Sequence, residues 1–294
     1  MIPEHLMEQL RYIEIYTRRA VRDHRIGDYR SPLHGRGFEF DQHKRYQHGD
    51  DYRQIDWNVT ARMRHPYVKR DFEEKELSAV IMADLSRSME FSSVDQSKRE
   101  LLLLVAATLA FSAASDNMKV GLIGFTDEVE VNLPLKKGSA QMWHILESLY
   151  EAEPASAGTN FLPALEYLDA RLKTSTLIFC ISDFVNIEQA LASRPLKHLV
   201  RRHDFIPLIL EDGWDGKLPR GRGFLRFHDA EGGDVMLFNL SRRKRELYNS
   251  LMRERRIALE RALYRLNLDH IYLQVGEPFL DPILGFFLGR KRSR

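Results

Sequence analysis

The sequence is nearly without cysteine. Its 294 residues include one, Cys180, so no disulfide can form within the chain. Cys180 lies in an apolar run that is typical of a buried strand, which favours a packing role over a catalytic thiol. Such a chain is usually found in a reducing compartment, and we expect a cytoplasmic protein. No early apolar run has the length of a signal-peptide core, and no stretch is long enough to span a membrane.

An excess of charge of either sign is also missing. The 44 Lys and Arg residues nearly balance the 42 Asp and Glu residues, and the net charge of +2 gives no indication of a nucleic-acid partner. Basic residues are frequent between 242 and 265, but Glu246 and Glu254 interleave with them, as on the solvated face of a surface helix. The apolar part of residues 286–292 is short, so a docked terminal helix is favoured over a peripheral membrane contact.

Several signatures of enzymes are missing as well. No Gly-x-x-x-x-Gly-Lys motif occurs, and Gly121-Leu122-Ile123-Gly124 lies inside a predicted strand, so a phosphate-binding loop has no support. No Ser, His and Asp follow the pattern of a nucleophile elbow. The 11 histidines are scattered, and His43 and His48, which could form a transition-metal pair, lack a clear third ligand.

Short polar segments stand at the ends of two apolar runs. Asp84-Leu85-Ser86-Arg87-Ser88 follows the run 79–83, and Ser182-Asp183 follows the run 177–181. Both runs are typical of buried strands, and a third polar segment, Gly158-Thr159-Asn160, precedes a predicted helix. If the two strands are parallel in one sheet, their polar ends and the third segment meet at one edge. The side chains predicted to converge there are Asp84, Ser86, Ser88, Thr159 and Asp183.

These five side chains form a set of hard oxygen donors. Carboxylates and hydroxyls suit Mg²⁺ or Mn²⁺ and offer nothing to a thiolate-seeking metal. Because only Asp84 and Asp183 are acidic, the cation keeps Lewis acidity and a free position, which an Asp or Glu of a partner could complete. The alternative is structural, since Asp84, Ser86 and Ser88 are residue types that often cap turns and helix starts.

Helical and strand patterns alternate through the rest of the chain. Strands are predicted at 79–83, 119–125, 129–135, 177–181, 205–210 and 271–275, and helices at 96–114, 140–150, 161–172 and 242–266. Such alternation predicts an α/β fold with a doubly wound, mostly parallel sheet. The strand at 129–135 follows its neighbour after a short turn, which indicates an antiparallel edge.

The first 75 residues differ in composition from the rest. After a helix-like segment around Leu6 and Leu10 they are rich in Arg, His, Gly and Tyr and poor in apolar runs. Such a segment has too little apolar surface for a core of its own. We therefore predict an irregular amino-terminal extension, residues 1–75, that packs on a main domain at 76–294 with a small hairpin insertion at about 213–240.

Charged and aromatic residues alternate in this extension. Guanidinium groups beside carboxylates can bridge them and fix an irregular segment in place, which is the structural interpretation. The alternative is that the segment docks a partner through aromatic anchors. The residues concerned are Arg45, Arg53, Arg62, Asp50, Asp51 and Asp56 for the first role, and Tyr46, Tyr52 and Trp57 for the second.

Two sets of motifs resemble known families. Asp-x-Ser-x-Ser at 84–88, Thr159 and Asp183 resemble the metal-ion-dependent adhesion site of von Willebrand factor A domains. The extension and the insertion resemble the domain-of-unknown-function 58 family, and this resemblance covers nearly the whole chain. Its motifs here are Gly49-Asp50-Asp51, Arg53, Ile55-Asp56-Trp57, Ala61-Arg62 and Phe72-Glu73-Glu74, with Leu218-Pro219 and Asp229-Ala230-Glu231 in the insertion.

The resemblance implies a function and a division of roles. Proteins of this kind join such an extension to a von Willebrand factor A domain and are associated with MoxR-type AAA+ ATPases. Ser86, Ser88 and Thr159 would then bind the metal most directly, while Asp84 and Asp183 would act through water or hydrogen bonds. We expect a non-enzymatic, metal-dependent adaptor or chaperone-like module. Its partner would be a MoxR-type ATPase or a client protein that supplies Asp or Glu.

The alternative function is a Mg²⁺-dependent phosphoesterase or hydrolase that uses the same strand-end site. Two-metal hydrolysis requires several bridging carboxylates, whereas most of this cluster consists of neutral hydroxyls. A haloacid-dehalogenase-like phosphatase would place an Asp where this chain has Ser86, so the usual acid–base group is missing. From the sequence alone, these arguments favour binding over hydrolysis.

Overall fold

The computed structural model describes residues 2–24, 44–47, 52, 55–63, 65–68, 77–219, 223–228 and 235–292. Its internal contacts divide the chain into a larger unit, residues 1–33 and 77–294, and a smaller unit, residues 34–76. Several residues that the sequence singles out lie outside the described residues, namely Gly49-Asp50-Asp51, Arg53, Phe72-Glu73-Glu74, Asp229-Ala230-Glu231, His43 and His48.

The larger unit is built on a six-stranded sheet. Its strands are β3 (Ser78–Asp84), β4 (Lys119–Phe125), β5 (Val129–Lys136), β6 (Leu177–Ser182), β7 (Asp204–Glu211) and β10 (Ile271–Gln274). They lie in the order β10-β7-β6-β3-β4-β5, and every neighbouring pair is parallel except β4 with β5. The predicted α/β class with a mostly parallel sheet is therefore confirmed.

Helices cover both faces of this sheet. One face carries α1 (Glu4–His24), α3 (Lys98–Ser115), α4 (Ser139–Glu151) and α10 (Leu280–Arg292), and the other carries α5 (Phe161–Arg171), α6 (Glu188–Ala192), α7 (Arg194–Arg202) and α9 (Arg242–Arg265). Because central strands such as β3 and β6 are covered on both sides, they are buried at every position and read as continuous apolar runs. Among the described helices, none has the length and apolar character that crossing a membrane requires.

The central helix α3 is buried on nearly all sides. The helix begins with a capping box. The Ser97 side chain accepts the Glu100 N–H, and the Glu100 side chain accepts the Ser97 N–H. The helix contacts β3, β4, α1 and α4. Cover by both strands and helices explains why its sequence is apolar all round instead of amphipathic.

Helix α1 forms part of the larger unit. Leu6, Leu10 and Ile13 are buried in the same apolar core as the side chains of α3. Within the predicted extension, this helix is therefore grouped with the sheet and not with residues 34–76. That residues 35–70 pack on the main domain stays a prediction.

The described part of the smaller unit is a short ladder and a helix. It consists of β1 (Lys44–Arg45) paired antiparallel with β2 (Tyr67–Val68), and of α2 (Trp57–Met63). Asp56 precedes α2, and its Oδ1 accepts the backbone N–H groups of Asn58 at 2.9 Å and Val59 at 3.1 Å. Asp56 therefore caps a helix start, whereas the adjacent Trp57 is 71% exposed.

A small antiparallel hairpin lies between β7 and α9 in the chain. Strands β8 (Phe224–His228) and β9 (Val235–Asn239) pair antiparallel, and the short helix α8 (Gly213–Gly216) precedes them. All three elements lie within the predicted range 213–240, and α8 directly follows the end of β7.

Strand β5 closes one edge of the sheet. Its exposed and partly buried residues alternate over its second half, as expected of an edge strand, and it contains Pro134, which has no backbone N–H. A Cβ atom on Gly121 of β4 would lie 2.9 Å from the Leu133 carbonyl oxygen. Glycine is therefore required where β4 and β5 approach each other.

We predict that Leu10→Ala lowers the free energy of unfolding by about 2–4 kcal/mol, because Leu10 is fully buried in the core shared with α3. Urea unfolding followed by circular dichroism measures the change. Ile15→Ala on the same helix is the control, since Ile15 is 53% exposed and its truncation should cost less than about 0.5 kcal/mol. Equally small effects in both variants would contradict the docking of α1 in the larger unit.

Candidate metal centre

The ends of β3 and β6 lie side by side at the carboxyl edge of the sheet. The two strands are parallel neighbours with Ala83 opposite Ile181, so Asp84 and Ser182 follow at the same level. Strand β4 lies on the other side of β3, with Phe125 opposite Asp84. The loops that leave these strands therefore share one edge of the sheet.

Asp84, like Ser86, is fully buried. Its Oδ1 accepts the Ser86 N–H at 2.9 Å, in a local turn that Asp residues commonly form. Its Oδ2 accepts the Ser182 hydroxyl at 2.6 Å, which joins β3 to β6. The Ser182 oxygen in turn accepts the Phe184 N–H at 2.9 Å. Both oxygens of Asp84 thus hold the surrounding loops in place.

Ser86 and Ser88 bring two hydroxyl groups together. Their Oγ atoms are 3.1 Å apart, with Ser86 fully buried and Ser88 half-buried. Ser86 stands at the start of a 3-10 turn, Arg87–Glu90, but its side chain does not cap that turn. Asp84 closes the turn that precedes it by accepting the Ser86 N–H, and the Ser86 hydroxyl faces Ser88.

Backbone hydrogen bonds join the third polar loop to the segments that follow β3 and β4. The Arg87 N–H donates to the Ala157 oxygen at 3.2 Å, and the Asn160 N–H donates to the Thr126 oxygen at 2.9 Å. Thr159 lies between these two attachments and is half-buried. Asn160 caps α5, since its side-chain oxygen accepts a backbone N–H of that helix at 3.1 Å. The sequence placed Thr159 at the helix start, and it stands one residue before the cap.

Asp183 is buried, and both of its oxygens have partners. Oδ1 accepts the Val185 N–H at 3.1 Å, and Oδ2 accepts the Lys98 ammonium at 3.0 Å. The chain turns sharply after Asp183, because Phe184 has a φ of +55°, a left-handed conformation that is uncommon outside glycine. The buried Phe184 ring packs against Phe161, which fixes this turn.

The burial of charge governs the electrostatics of this edge. Burial, together with the nearby charge of Asp183, raises the pKa of Asp84 from 3.8 to about 6, against the opposing hydrogen bonds from Ser182 and Ser86. Burial by itself would lower the pKa of Lys98, but the carboxylates of Asp183 and Asp215 outweigh it and raise the pKa. Lys98 therefore stays charged, while Asp84 takes up a proton more readily than an exposed carboxylate does.

Sequence reasoning missed Lys98 and Asp215. The Lys98 Nζ atom lies 3.0 Å from Asp183 Oδ2 and 2.7 Å from Asp215 Oδ2. In the sequence, Lys98 precedes an apolar run and is typical of a solvated helix start. The available signal was topological, because a helix that follows a strand of a parallel sheet begins at the carboxyl edge.

The donor types suit a small, hard cation. Two carboxylates and the hydroxyls of Ser86, Ser88 and Thr159 stand on loops that share one edge of the sheet. Adjacent oxygen ligands of an octahedral Mg²⁺ ion are about 3 Å apart, given metal–oxygen distances of about 2.1 Å. The two serine hydroxyls hydrogen-bond to each other with their oxygens 3.1 Å apart, and this distance also matches the spacing of such a pair. Coordination by these five residues stays a prediction.

Comparison with known proteins identifies the family of this chain. The family model described as "Protein of unknown function DUF58" matches residues 42–258. The chain belongs to this family. The resemblance noted in the sequence is thereby confirmed at the level of the family.

Two relatives and one solved structure are similar to this chain. The uncharacterized proteins Rv1480 of Mycobacterium tuberculosis and Mb1516 of Mycobacterium bovis are each 26% identical to this chain over 290 residues, which is 98% of this chain and 90% of theirs. A solved structure, conserved hypothetical protein BatB from Bacteroides thetaiotaomicron, is similar with a TM-score of 0.45 and 16% identity, over 74% of this chain and 100% of that one.

We predict that Asp84 gives the metal-free protein a distinctive pH dependence. Because its pKa rises from 3.8 to about 6 on folding, the folded state binds the proton more tightly than the unfolded state. Its stabilising contribution is therefore full below about pH 4 and is lost as the pH rises to about 6. Asp84→Asn cannot titrate, so in EDTA its free energy of unfolding relative to the wild type should rise with pH across this window.

Denaturant unfolding of both proteins at a series of pH values measures this difference. Other carboxylates titrate in both proteins and cancel. A difference that stays flat, or that decreases with rising pH, would show that Asp84 is not held with a raised pKa.

Proposed function

We propose that this protein is a metal-dependent protein-binding module of the von Willebrand factor A type. In this proposal Mg²⁺ or Mn²⁺ joins the carboxyl edge of the sheet to a carboxylate supplied by a partner. The observation that carries the proposal is the 3.1 Å separation of the Ser86 and Ser88 hydroxyl oxygens, in the turn that buried Asp84 closes.

Each donor has a separate role in this proposal. The hydroxyls of Ser86, Ser88 and Thr159 would hold the cation. Asp84 would act through the hydrogen bonds that position Ser86, and Asp183 would act through water or a hydrogen bond. Because the three closest donors are neutral, the bound cation would supply an uncompensated positive charge to an Asp or Glu of the partner.

The engagement of both carboxylates favours binding over hydrolysis. The raised pKa of Asp84 would suit a general acid or base, but its two oxygens are occupied by the Ser86 N–H and the Ser182 hydroxyl, and the residue is fully buried. Asp183 is likewise held, by Val185 and Lys98. Within this cluster neither carboxylate is placed to exchange a proton with a substrate.

The partner that we propose is a MoxR-type AAA+ ATPase or a client protein, with this module as a cytoplasmic adaptor or chaperone-like component. The proposal is supported by the resemblance of the extension motifs and by membership of the DUF58 family. A nucleic-acid partner is not part of it, because the net charge of the chain is only +2.

Removing the two serine hydroxyls should abolish metal binding. We expect one Mg²⁺ or Mn²⁺ per chain in calorimetric titration of the wild-type protein, and a loss of affinity of at least about 100-fold in Ser86→Ala with Ser88→Ala, because two direct ligands are lost. Far-ultraviolet circular dichroism should show an unchanged sheet.

The matched control is Ser115→Ala with Ser250→Ala. These two hydroxyls donate to backbone oxygens within their own helices, α3 and α9, at 2.9 and 2.8 Å. The control pair should bind metal as the wild type does. Equal affinity in the site variant and the control would eliminate the proposed centre, and loss of folding in the site variant alone would favour a purely structural role for the serines.

Partner capture should depend on the metal. We expect EDTA, and separately Thr159→Ala, to weaken the capture of a MoxR-type ATPase by the tagged protein at least about tenfold. EDTA removes the metal ion, and Thr159→Ala removes one of its proposed ligands, so in both cases the partner carboxylate loses the ion that it would bind. Thr174→Ala, at an exposed threonine, is the control. Phosphomonoester and phosphodiester substrates should remain uncleaved. Metal-dependent turnover that disappears in Asp183→Ala would instead establish the hydrolase.

A further inference from the structure

Helix α3 brings a buried lysine to the candidate metal centre. Lys98 is the first residue of the helix, and its side chain is 3% exposed. Its Nζ atom lies 3.0 Å from Asp183 Oδ2 and 2.7 Å from Asp215 Oδ2. A buried ammonium group is tolerated where carboxylates compensate for its lost hydration, so these two contacts fix its position.

Both oxygens of the Asp183 carboxylate already have partners. Its Oδ1 accepts the Val185 N–H at 3.1 Å, and its Oδ2 accepts Lys98 at 3.0 Å. A divalent cation that draws on Asp183, directly or through water, must therefore share this carboxylate with the ammonium group. Two cations beside one carboxylate repel each other strongly where water is excluded.

Asp215 is a second carboxylate partner of Lys98. It belongs to α8, and its Oδ2 also accepts the Asp212 N–H at 2.8 Å. Asp212 is itself anchored, because its two oxygens accept the N–H groups of Ser93 and Trp214, each at 2.8 Å. Asp215 is therefore held near Lys98 by contacts that do not involve Asp183.

We propose that Lys98 is a resident cation that competes with the divalent ion for Asp183 and so sets the metal affinity of the site. This inference rests on the proposed function. In the metal-free protein Lys98 contacts both Asp183 and Asp215, and when a divalent ion binds, Lys98 gives up Asp183 and keeps its contact with Asp215. The affinity stays below the value that the five donors alone would give, so the ion is retained best when a partner carboxylate adds to its ligands.

Lys98→Met tests the competition, because methionine removes the charge and keeps an unbranched side chain. In calorimetric titrations of EDTA-treated, desalted protein with magnesium or manganese chloride, Lys98→Met should bind the ion at least about tenfold more tightly than the wild type. Removal of one repelling charge from a partly buried site has an effect of at least this size. Lys197→Met is the matched control, since Lys197 is exposed on α7, and it should bind as the wild type does.

Melting temperatures separate this competition from a purely structural role. Without metal, Lys98→Met should melt below the wild type, because Asp183 and Asp215 lose their compensating charge. Saturating Mg²⁺ should then raise its melting temperature by more than it raises that of the wild type, since tighter binding stabilises the folded state more. A structural role alone would give the same increase in both proteins.

Asp215→Asn completes the test. Lys98 then relies on Asp183 alone, so the metal affinity should fall, and the same substitution should have a smaller effect when Lys98→Met is also present. If Lys98→Met does not fold without metal, Asp215→Asn is compared with the double variant. Tighter binding by the double variant supports the competition, and equal or weaker binding overturns it.

The outcomes distinguish this inference from the proposed function. Failure of both the wild type and Lys98→Met to bind Mg²⁺ or Mn²⁺ would overturn the metal site and the inference together. Metal binding by the wild type that Lys98→Met leaves unchanged or weakens would overturn the inference alone.

Discussion

The hydrogen bond from the Ser182 hydroxyl to Asp84 Oδ2 joins the ends of two central strands, and the candidate site is arranged around it. Because the Ser182 oxygen also accepts the Phe184 N–H, the same group directs the chain that leaves β6. The Ser86 N–H uses the other oxygen of Asp84, which directs the chain that leaves β3. One buried carboxylate thus fixes the start of two loops, and neither loop could shift without leaving a buried polar group unsatisfied.

The helices on one face of the sheet support this arrangement. Helix α3 begins with Lys98, whose ammonium group reaches the second buried carboxylate, Asp183, so the position of the helix start sets the charge balance at the edge. Helix α1 covers part of α3, and Leu10 is fully buried in their common core. Since close-packed interiors transmit small displacements, loss of α1 packing would be felt at the carboxyl edge through α3.

Local sequence patterns were enough to predict the strands, but not which charged side chains contact each other. Residues 120–125 carry no polar side chain, and β4 has the predicted bounds 119–125. Strand β3 extends one residue beyond its predicted run at each end, and β6 extends one residue at its carboxyl end. Helix α7 was missed because few of its residues are apolar. The contact of Lys98 with Asp183 was missed because 85 residues separate them, and no local pattern encodes such a pair. An amphipathic segment shows which face of α1 is buried, but not which element buries it.

The two side edges of the sheet differ from its carboxyl end in what they offer to another chain. Pro134 in β5 has no N–H to donate, and the pairing of β5 with β4 shifts register in two places. At the opposite edge, β10 is four residues long. Short or interrupted edge strands resist the addition of a foreign strand. In the proposed binding function, recognition would therefore fall to loop side chains, where single substitutions can change the choice of partner while the scaffold stays intact.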